Sequence, residues 1–273
     1  MPKTILITGA SCGIGKETAK LFASKGWQVV ATMRAPQKET ELIGRKDILV
    51  TGLDVTHSQS IAGAIASGLK EFGKIDVLLN NAGYGAYGPL EASPMDRIRR
   101  QFDTNVIGLP ETTKAVLPHF RKQRHGTIVN ISAIGGQMTF PLGALYHGSK
   151  FAVEGISELL HFELATAGIK VKIVELGMIA TDFSGRSFDF VNDETMSEYQ
   201  PVVQTLFACW SGNGAASRAS PPSVVAEVIY TAVTDGTDTL RYRAGDDANE
   251  LLYKRKLQDD EPFINGMKVQ LGL

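Results

Sequence analysis

Cysteine is scarce in this chain. Among 273 residues only Cys12 and Cys209 occur, at positions with no metal-ligand spacing, which excludes a disulfide framework and a zinc centre and fits a reducing compartment. An excess of one charge is also missing: 28 Lys and Arg face 29 Asp and Glu for a net charge of -1, with the positive residues scattered. The basic footprint of a nucleic-acid-binding protein is therefore absent. The start, Met1-Pro2-Lys3-Thr4-Ile5, runs directly into an apolar strand without a basic leader, a long hydrophobic stretch or a cleavage site. No membrane span or secretory signal is expected, and the expected location is the cytoplasm. There are no internal repeats and no low-complexity tracts. What remains, 43% hydrophobic and 21% charged residues, is the balance of a globular protein with a large core, and the length suits one α/β domain.

Short β-branched runs alternate with longer stretches of helical period, the pattern of repeated βαβ units around a parallel sheet. Strands are expected at 3–8, 27–33, 48–53, 75–80, 126–132, 169–175 and 239–243, and helices at 14–25, 58–72, 95–122, 146–167 and 221–235. The expected sheet is doubly wound in the order 3-2-1-4-5-6-7, with helices on both faces. The stretch from about Thr181 to Pro222 breaks the rhythm and reads as a substrate lid, the alternative being a surface excursion that only packs.

The first strand ends in Thr8-Gly9-Ala10-Ser11-Cys12-Gly13-Ile14-Gly15, directly before a helix. Glycines there permit a tight turn and let a pyrophosphate approach backbone N–H groups at the helix start; the plainer reading is an ordinary βα loop. The second strand ends at Arg34, where an NAD enzyme of this architecture usually carries an acidic side chain for the ribose. A guanidinium there favours the extra phosphate of NADP(H), although a strand-end Arg can also be merely solvated. After the third strand, Asp54, followed by Val55, can accept from an adenine amino group or cap the next helix. The fourth strand ends in Asn80-Asn81-Ala82-Gly83 at the carboxyl edge, where such sheets bind ligands, and Asn81, Ala82 and Gly83 line the expected cleft unless they serve the turn alone.

Tyr146 and Lys150, in Tyr146-His147-Gly148-Ser149-Lys150, stand one helical turn apart and so on one face. A phenol has a free pKa of about 10, and a nearby cation favours its ionised form, making Tyr146 a usable general acid or base. Alone, such a pair is more often a surface feature.

Together, Thr8 to Gly15, Asn80 to Gly83, Asn105 and Tyr146 to Lys150 resemble the single-domain branch of the short-chain dehydrogenase/reductase family. Within it the tone is similar to hydroxysteroid and retinol dehydrogenases and to bacterial ketoreductases. The resemblance implies a Rossmann-like, three-layer α/β/α fold and hydride transfer between NADP(H) and a hydrophobic ketone, aldehyde or secondary alcohol. It gives Tyr146 the proton exchange with the substrate oxygen, Lys150 the nicotinamide ribose, and Asn105 the support of a water-linked relay, helix capping being the plainer role for Asn105. Thr181, in Gly177-Met178-Ile179-Ala180-Thr181, matches the threonine that contacts the nicotinamide carboxamide, with Leu176, Gly177 and Ile179 beside the cofactor. Relatives also imply a homodimer or homotetramer packed through the helices at 95–122 and 146–167.

Four residues depart from the family pattern. The catalytic serine lies thirteen residues before the tyrosine, and here that position is Ala133. Ser132 is one residue earlier, where strand alternation points a side chain elsewhere unless the strand bulges, so Ser132 is expected as a replacement donor only in that case. Leu176 stands where proline is usual, Cys12 replaces a small polar residue, and Pro110 falls inside an expected long helix, at a cost of roughly 3 kcal/mol. Grouped around the site, these departures read as an engineered or inactivated variant, which a natural sequence sharing them would refute. Two alternatives to the reductase follow: an NADP(H)-binding protein with weakened or lost turnover, and an enzyme doing non-reductase chemistry in the same pocket.

Overall fold

The computed structural model describes residues 2–181, 183, 185, 187–211 and 219–273. The strands β1 (Thr4–Ile7), β2 (Gln28–Met33), β3 (Ile48–Gly52), β4 (Val77–Asn80), β6 (Gly126–Ile131), β7 (Ile169–Leu176) and β9 (Arg241–Ala244) form one parallel sheet, ordered β3-β2-β1-β4-β6-β7-β9. These are the seven expected strands in the expected order. Their side chains alternate between two apolar layers. Ile5 and Ile7 face Phe22 of helix α1 (Gly13–Ser24), together with Val225 and Ile229 further along the chain. Leu6 and Leu78 face Ile61 of α2 (Ser58–Phe72) and Phe120, on the opposite side of the sheet. With both faces covered, the central strands β1, β2, β4 and β6 read as near-continuous apolar runs.

The expected helix 95–122 is divided. α3 (Met95–Phe102) passes into one π-helical turn, Asp103–Ile107, before α4 (Gly108–Gln123) begins. Pro110 thus stands in the first turn of α4, just beyond a Gly108 N–H bonded to the Asp103 carbonyl, rather than deep in a continuous helix. Pro118 is the proline inside the helix. After β6 comes α5 (Ala144–Ala165), the helix of the Tyr–Lys pair.

Two strands were not expected. β5 (Gly85–Tyr87) pairs in parallel with β8 (Phe188–Phe190) as a separate two-stranded sheet, so Phe188–Phe190 of the 181–222 segment is tied to the stretch that follows β4. That segment goes on to α6 (Gln200–Ser211); Pro221 and Pro222 then open α7 (Pro222–Thr234), where a missing N–H costs nothing. The side chain of Cys209 lies outside the described residues. Beyond β9, α8 (Asp246–Leu257) and α9 (Asp260–Leu271) bury Leu252, Phe263 and Met267 against Met138. No helix among the described residues is long and apolar enough to cross a membrane.

Candidate active site

The turn between β1 and α1 is built for close approach. Gly9 has φ +71, and a Cβ on Gly15 would stand 2.7 Å from the Asn81 amide nitrogen, so α1 can press onto the turn only with glycine there. Asn81 braces the turn by donating to the carbonyls of Thr8 (2.9 Å) and Gly9 (3.0 Å), while the Thr8 hydroxyl accepts from the Asn81 and Ala82 N–H groups. The Asn81 side chain therefore positions the cradle rather than facing into it. Cys12 caps α1 with extended backbone and no side-chain bond, Ser11 is half-buried beside it, and Ile14 packs into the core. The N–H groups of the first turn point outward from the helix start, as an anion site requires.

Lys16 is committed elsewhere, to Glu39 (3.2 Å) and Glu41 (2.8 Å). Arg34 is exposed at the end of β2, close enough to Asp54 for its charge to help lower that carboxyl. Burial pulls Asp54 up, but bonds from the Thr56 N–H and hydroxyl prevail. Asp54 is not the helix cap; His57 holds that place, and Asp54 closes a turn onto Thr56. Val55 is buried against the place where Gly108 opens α4.

At the other side of the cleft, the Tyr146 ring is packed by Tyr87 (5.5 Å between centroids), His147 (5.7 Å) and Phe183 (5.4 Å). Lys150 Nζ lies 5.8 Å from the Tyr146 ring centroid and donates to the Ile131 carbonyl at 2.8 Å. Burial lowers Lys150 to about 8, with Glu154 opposing, and raises Tyr146. That direction is opposite to the one the Tyr–Lys pairing predicts: with the ammonium turned to Ile131, desolvation of the phenol dominates. Asn105, in the π-helical turn, accepts from the Tyr84 N–H (3.1 Å) and donates to the Tyr84 carbonyl (2.9 Å) and the Ser149 hydroxyl (3.1 Å). It therefore caps no helix. Lys150 and Asn105 both line a partly open space with room for one water molecule.

The structure does not bring Ser132 to the Tyr146 hydroxyl. Its Oγ is fully buried beneath Gly136, beside Glu154, two helical turns along α5 from Tyr146. Ala133 is extended (φ -158, ψ 168), with no bulge to turn the serine round.

The third wall is the loop after β7. Leu176 packs on the core, the Gly177 N–H bonds Ala244, and the Met178 N–H donates to Asp247 at 2.6 Å. Ile179 bridges to Ser220, and Thr181 reaches the glycine turn, 3.4 Å from where a Cβ on Gly13 would be. Gly83 lies against Asn105 at the base of the cleft. Sequence reasoning missed Tyr87, His147, Phe183 and Asp247; the aromatic run Tyr84-Gly85-Ala86-Tyr87 beside Asn81 was the available signal for the first.

Sheet order, glycine turn and Tyr–Lys pair together define a Rossmann-like α/β protein with its cleft at the carboxyl edge. The profile of the short chain dehydrogenases, a family of oxidoreductases, matches residues 3–191, and this chain belongs to that family. Human retinol dehydrogenase 8 is 40% identical over 262 residues, covering 88% of this chain and 80% of that protein. The crystal structure of a short-chain dehydrogenase from Streptomyces avermitilis is similar with a TM-score of 0.86 at 31% identity, over 99% of this chain and 98% of its own. ElxO with NADP bound is similar with a TM-score of 0.73 at 29% identity, over 89% and 98%.

Proposed function

We propose that the protein is an NADP(H)-dependent oxidoreductase that interconverts a hydrophobic ketone or aldehyde and its alcohol. The observation that carries this reading is the Tyr146 phenol and Lys150 ammonium on one face of α5, across the cleft from a glycine turn that opens α1. The chain's residues fit the dinucleotide: the α1 N-terminus and Gly9, Gly13 and Gly15 would receive the pyrophosphate. With Lys16 held by two carboxylates, the exposed Arg34 at the end of β2 would receive a 2′-phosphate. ElxO, similar over most of this chain, binds NADP and supports the same choice. When bound, NADPH supplies the hydride.

Tyr146, kept neutral by burial, hands its proton to the substrate oxygen as negative charge develops there. Lys150 binds the ribose and, with Asn105 across the water-sized space, returns a proton to the phenol. Phe183, Phe188 and Phe190 supply an apolar approach to Tyr146, and the 181–222 segment acts as the lid over it. The outer face of α5 packs against a second copy in a homodimer or homotetramer.

The test is NADPH oxidation with a panel of apolar ketones and aldehydes, compared with Tyr146→Phe and with NADH. Intact turnover in Tyr146→Phe sinks the chemistry; an unchanged cofactor preference in Arg34→Ala sinks the NADP(H) assignment. A second reading, cofactor binding with weakened turnover, is favoured by Ala133 and by a Ser132 that faces Glu154. Tight NADPH binding without oxidation on any substrate, and no gain from Ala133→Ser, would establish it.

A further inference from the structure

His147 follows the catalytic tyrosine, is 2% exposed, and has no part in the steps above. Its imidazole is cradled between two glycines: a Cβ on Gly135 would stand 3.0 Å from Nδ1 and one on Gly143 2.7 Å from Nε2. Nδ1 lies 3.2 Å from the Met138 carbonyl, which can only accept, so Nδ1 carries the proton. Nε2 is then the acceptor for the Tyr87 hydroxyl, 3.3 Å away. Burial lowers His147, and burial with the nearby Tyr146 holds Tyr87 well above its ordinary range, so this arrangement of protons persists at neutral pH.

The Tyr87 ring held in this way packs against two further rings, Tyr146 (5.5 Å, 32° between planes) and Phe188 of β8 (5.3 Å, 36°). The backbone of Tyr87 is fastened to the same strand: its carbonyl accepts from the Val191 N–H at 3.0 Å and from Arg97 at 2.8 Å, and Arg97 also pairs with Asp189 at 3.2 Å. A general acid must sit within about 3 Å of the oxygen it protonates, and displacements near 1 Å cost up to roughly 100-fold in rate. The neighbours of the Tyr146 ring therefore set how well its hydroxyl is aimed.

We infer that Tyr87 and His147 are positioning residues: their hydrogen bond fixes the Tyr87 ring, and that ring holds the Tyr146 phenol in register with strand β8. The inference rests on Tyr146 being the proton-transferring group. Three variants separate the roles. Tyr87→Phe keeps the ring and loses the donor; His147→Leu loses the acceptor; His147→Gln keeps an amide oxygen able to accept at the place of Nε2. Each is assayed for kcat and KM in apolar ketone reduction and for NADPH binding by fluorescence titration, with Tyr146→Phe alongside.

Tyr87→Phe and His147→Leu are expected to lower kcat roughly 10- to 100-fold with NADPH affinity within about twofold. His147→Gln recovers most of the loss, and the Tyr87→Phe/His147→Leu double variant loses no more than the worse single one, as members of one unit do. Wild-type kcat in Tyr87→Phe beside an inactive Tyr146→Phe overturns the inference while leaving the function intact, as do additive losses in the double variant. An active Tyr146→Phe overturns the function first and the inference with it. If His147→Leu fails to fold, Tyr87→Phe and His147→Gln decide. The imidazole ¹⁵N resonances need no substrate: an Nδ1–H tautomer is expected for His147, and an Nε2–H tautomer overturns the assignment.

Discussion

Tyr146 keeps its proton in this site, and Lys150 is the group near it that titrates in the working range. Burial raises the phenol above the ordinary tyrosine range and so keeps it protonated, the form that donation to a substrate oxygen requires. Replacing Tyr146 by Phe should lower turnover about 100-fold or more while NADPH still binds, as stopped-flow oxidation and a binding titration would read. Lys150 falls to about 8, so its ammonium is present below that pH and lost above it. If the charged form is the active one, kcat for reduction falls above pH 8 by roughly tenfold per pH unit, and Lys150→Arg moves that limb upward because a guanidinium stays charged. A profile flat to pH 10 contradicts the role. Ala133→Ser returns a donor to the family position; on the order of 10- to 1000-fold gain in kcat is expected if that oxygen is unassisted now. The glycine turn and the Tyr–Lys spacing were legible in the sequence because their geometry is local to one turn or one helix. The aim of the Ser132 hydroxyl followed from strand alternation in the same way, whereas the aromatic company of Tyr146 did not, because it depends on what packs against α5.

The elements show the same division. Strands β1, β2, β4 and β6 announce themselves as apolar runs, since burial on both faces leaves little room for polar residues, whereas the edge strand β9 carries Arg241 and Arg243 and is largely half-buried. The π-helical turn at Asp103–Ile107 has no such mark; it accompanies the bonds from Asn105 to Tyr84 and Ser149, which are tertiary. β5 and β8 are three residues each and pair across the whole intervening chain. α8 and α9 did carry signals that were passed over, with acidic residues in their first turns and basic ones in their last, and Gly272 in the left-handed region closing α9.

Where β7, β9 and α5 meet, Glu175 is fully buried beside Glu154, with Arg241 and Arg243 each 3.6 Å away. Burial, then the Glu154 charge, push Glu175 up to about 7 against the two arginines. Its folded value lies above its unfolded one, so between about pH 4.5 and 7 the folded chain holds a proton that the unfolded chain has released. Stability from this group is therefore fully present below pH 4.5 and falls as pH rises to about 7. Glu175→Gln should flatten that part of the profile and, at pH 8, melt at least a few degrees closer to its pH 5 value than the parent does. Calorimetry at both pH values checks it; parallel profiles would place the titration elsewhere.

At the scale of the whole molecule, helix α5 presents an apolar face to solvent. Phe151 (45% exposed), Leu159 (64%) and Phe162 (68%) recur at helical spacing on its outer face, around a Gly155 whose Cβ would meet nothing. Beside them lies an open groove lined by Gln137, Glu154, Glu158 and Arg241. Apolar side chains on a rim of paired charges, with a glycine allowing close approach, match a helix face that packs on its own copy across a two-fold axis. A stable dimer needs roughly 1,200 Å² or more of buried surface, so a joining face on α5 would have to extend beyond these side chains onto α3, which packs beside it. The wild-type chain is expected to sediment as a dimer or tetramer at micromolar concentration. Phe162→Glu places a carboxylate on that apolar face and should raise the dissociation constant on the order of 100-fold or more, with NADPH binding per chain unchanged. A wild-type chain that sediments as a monomer, or a Phe162→Glu chain that associates as the parent does, removes α5 as the joining face.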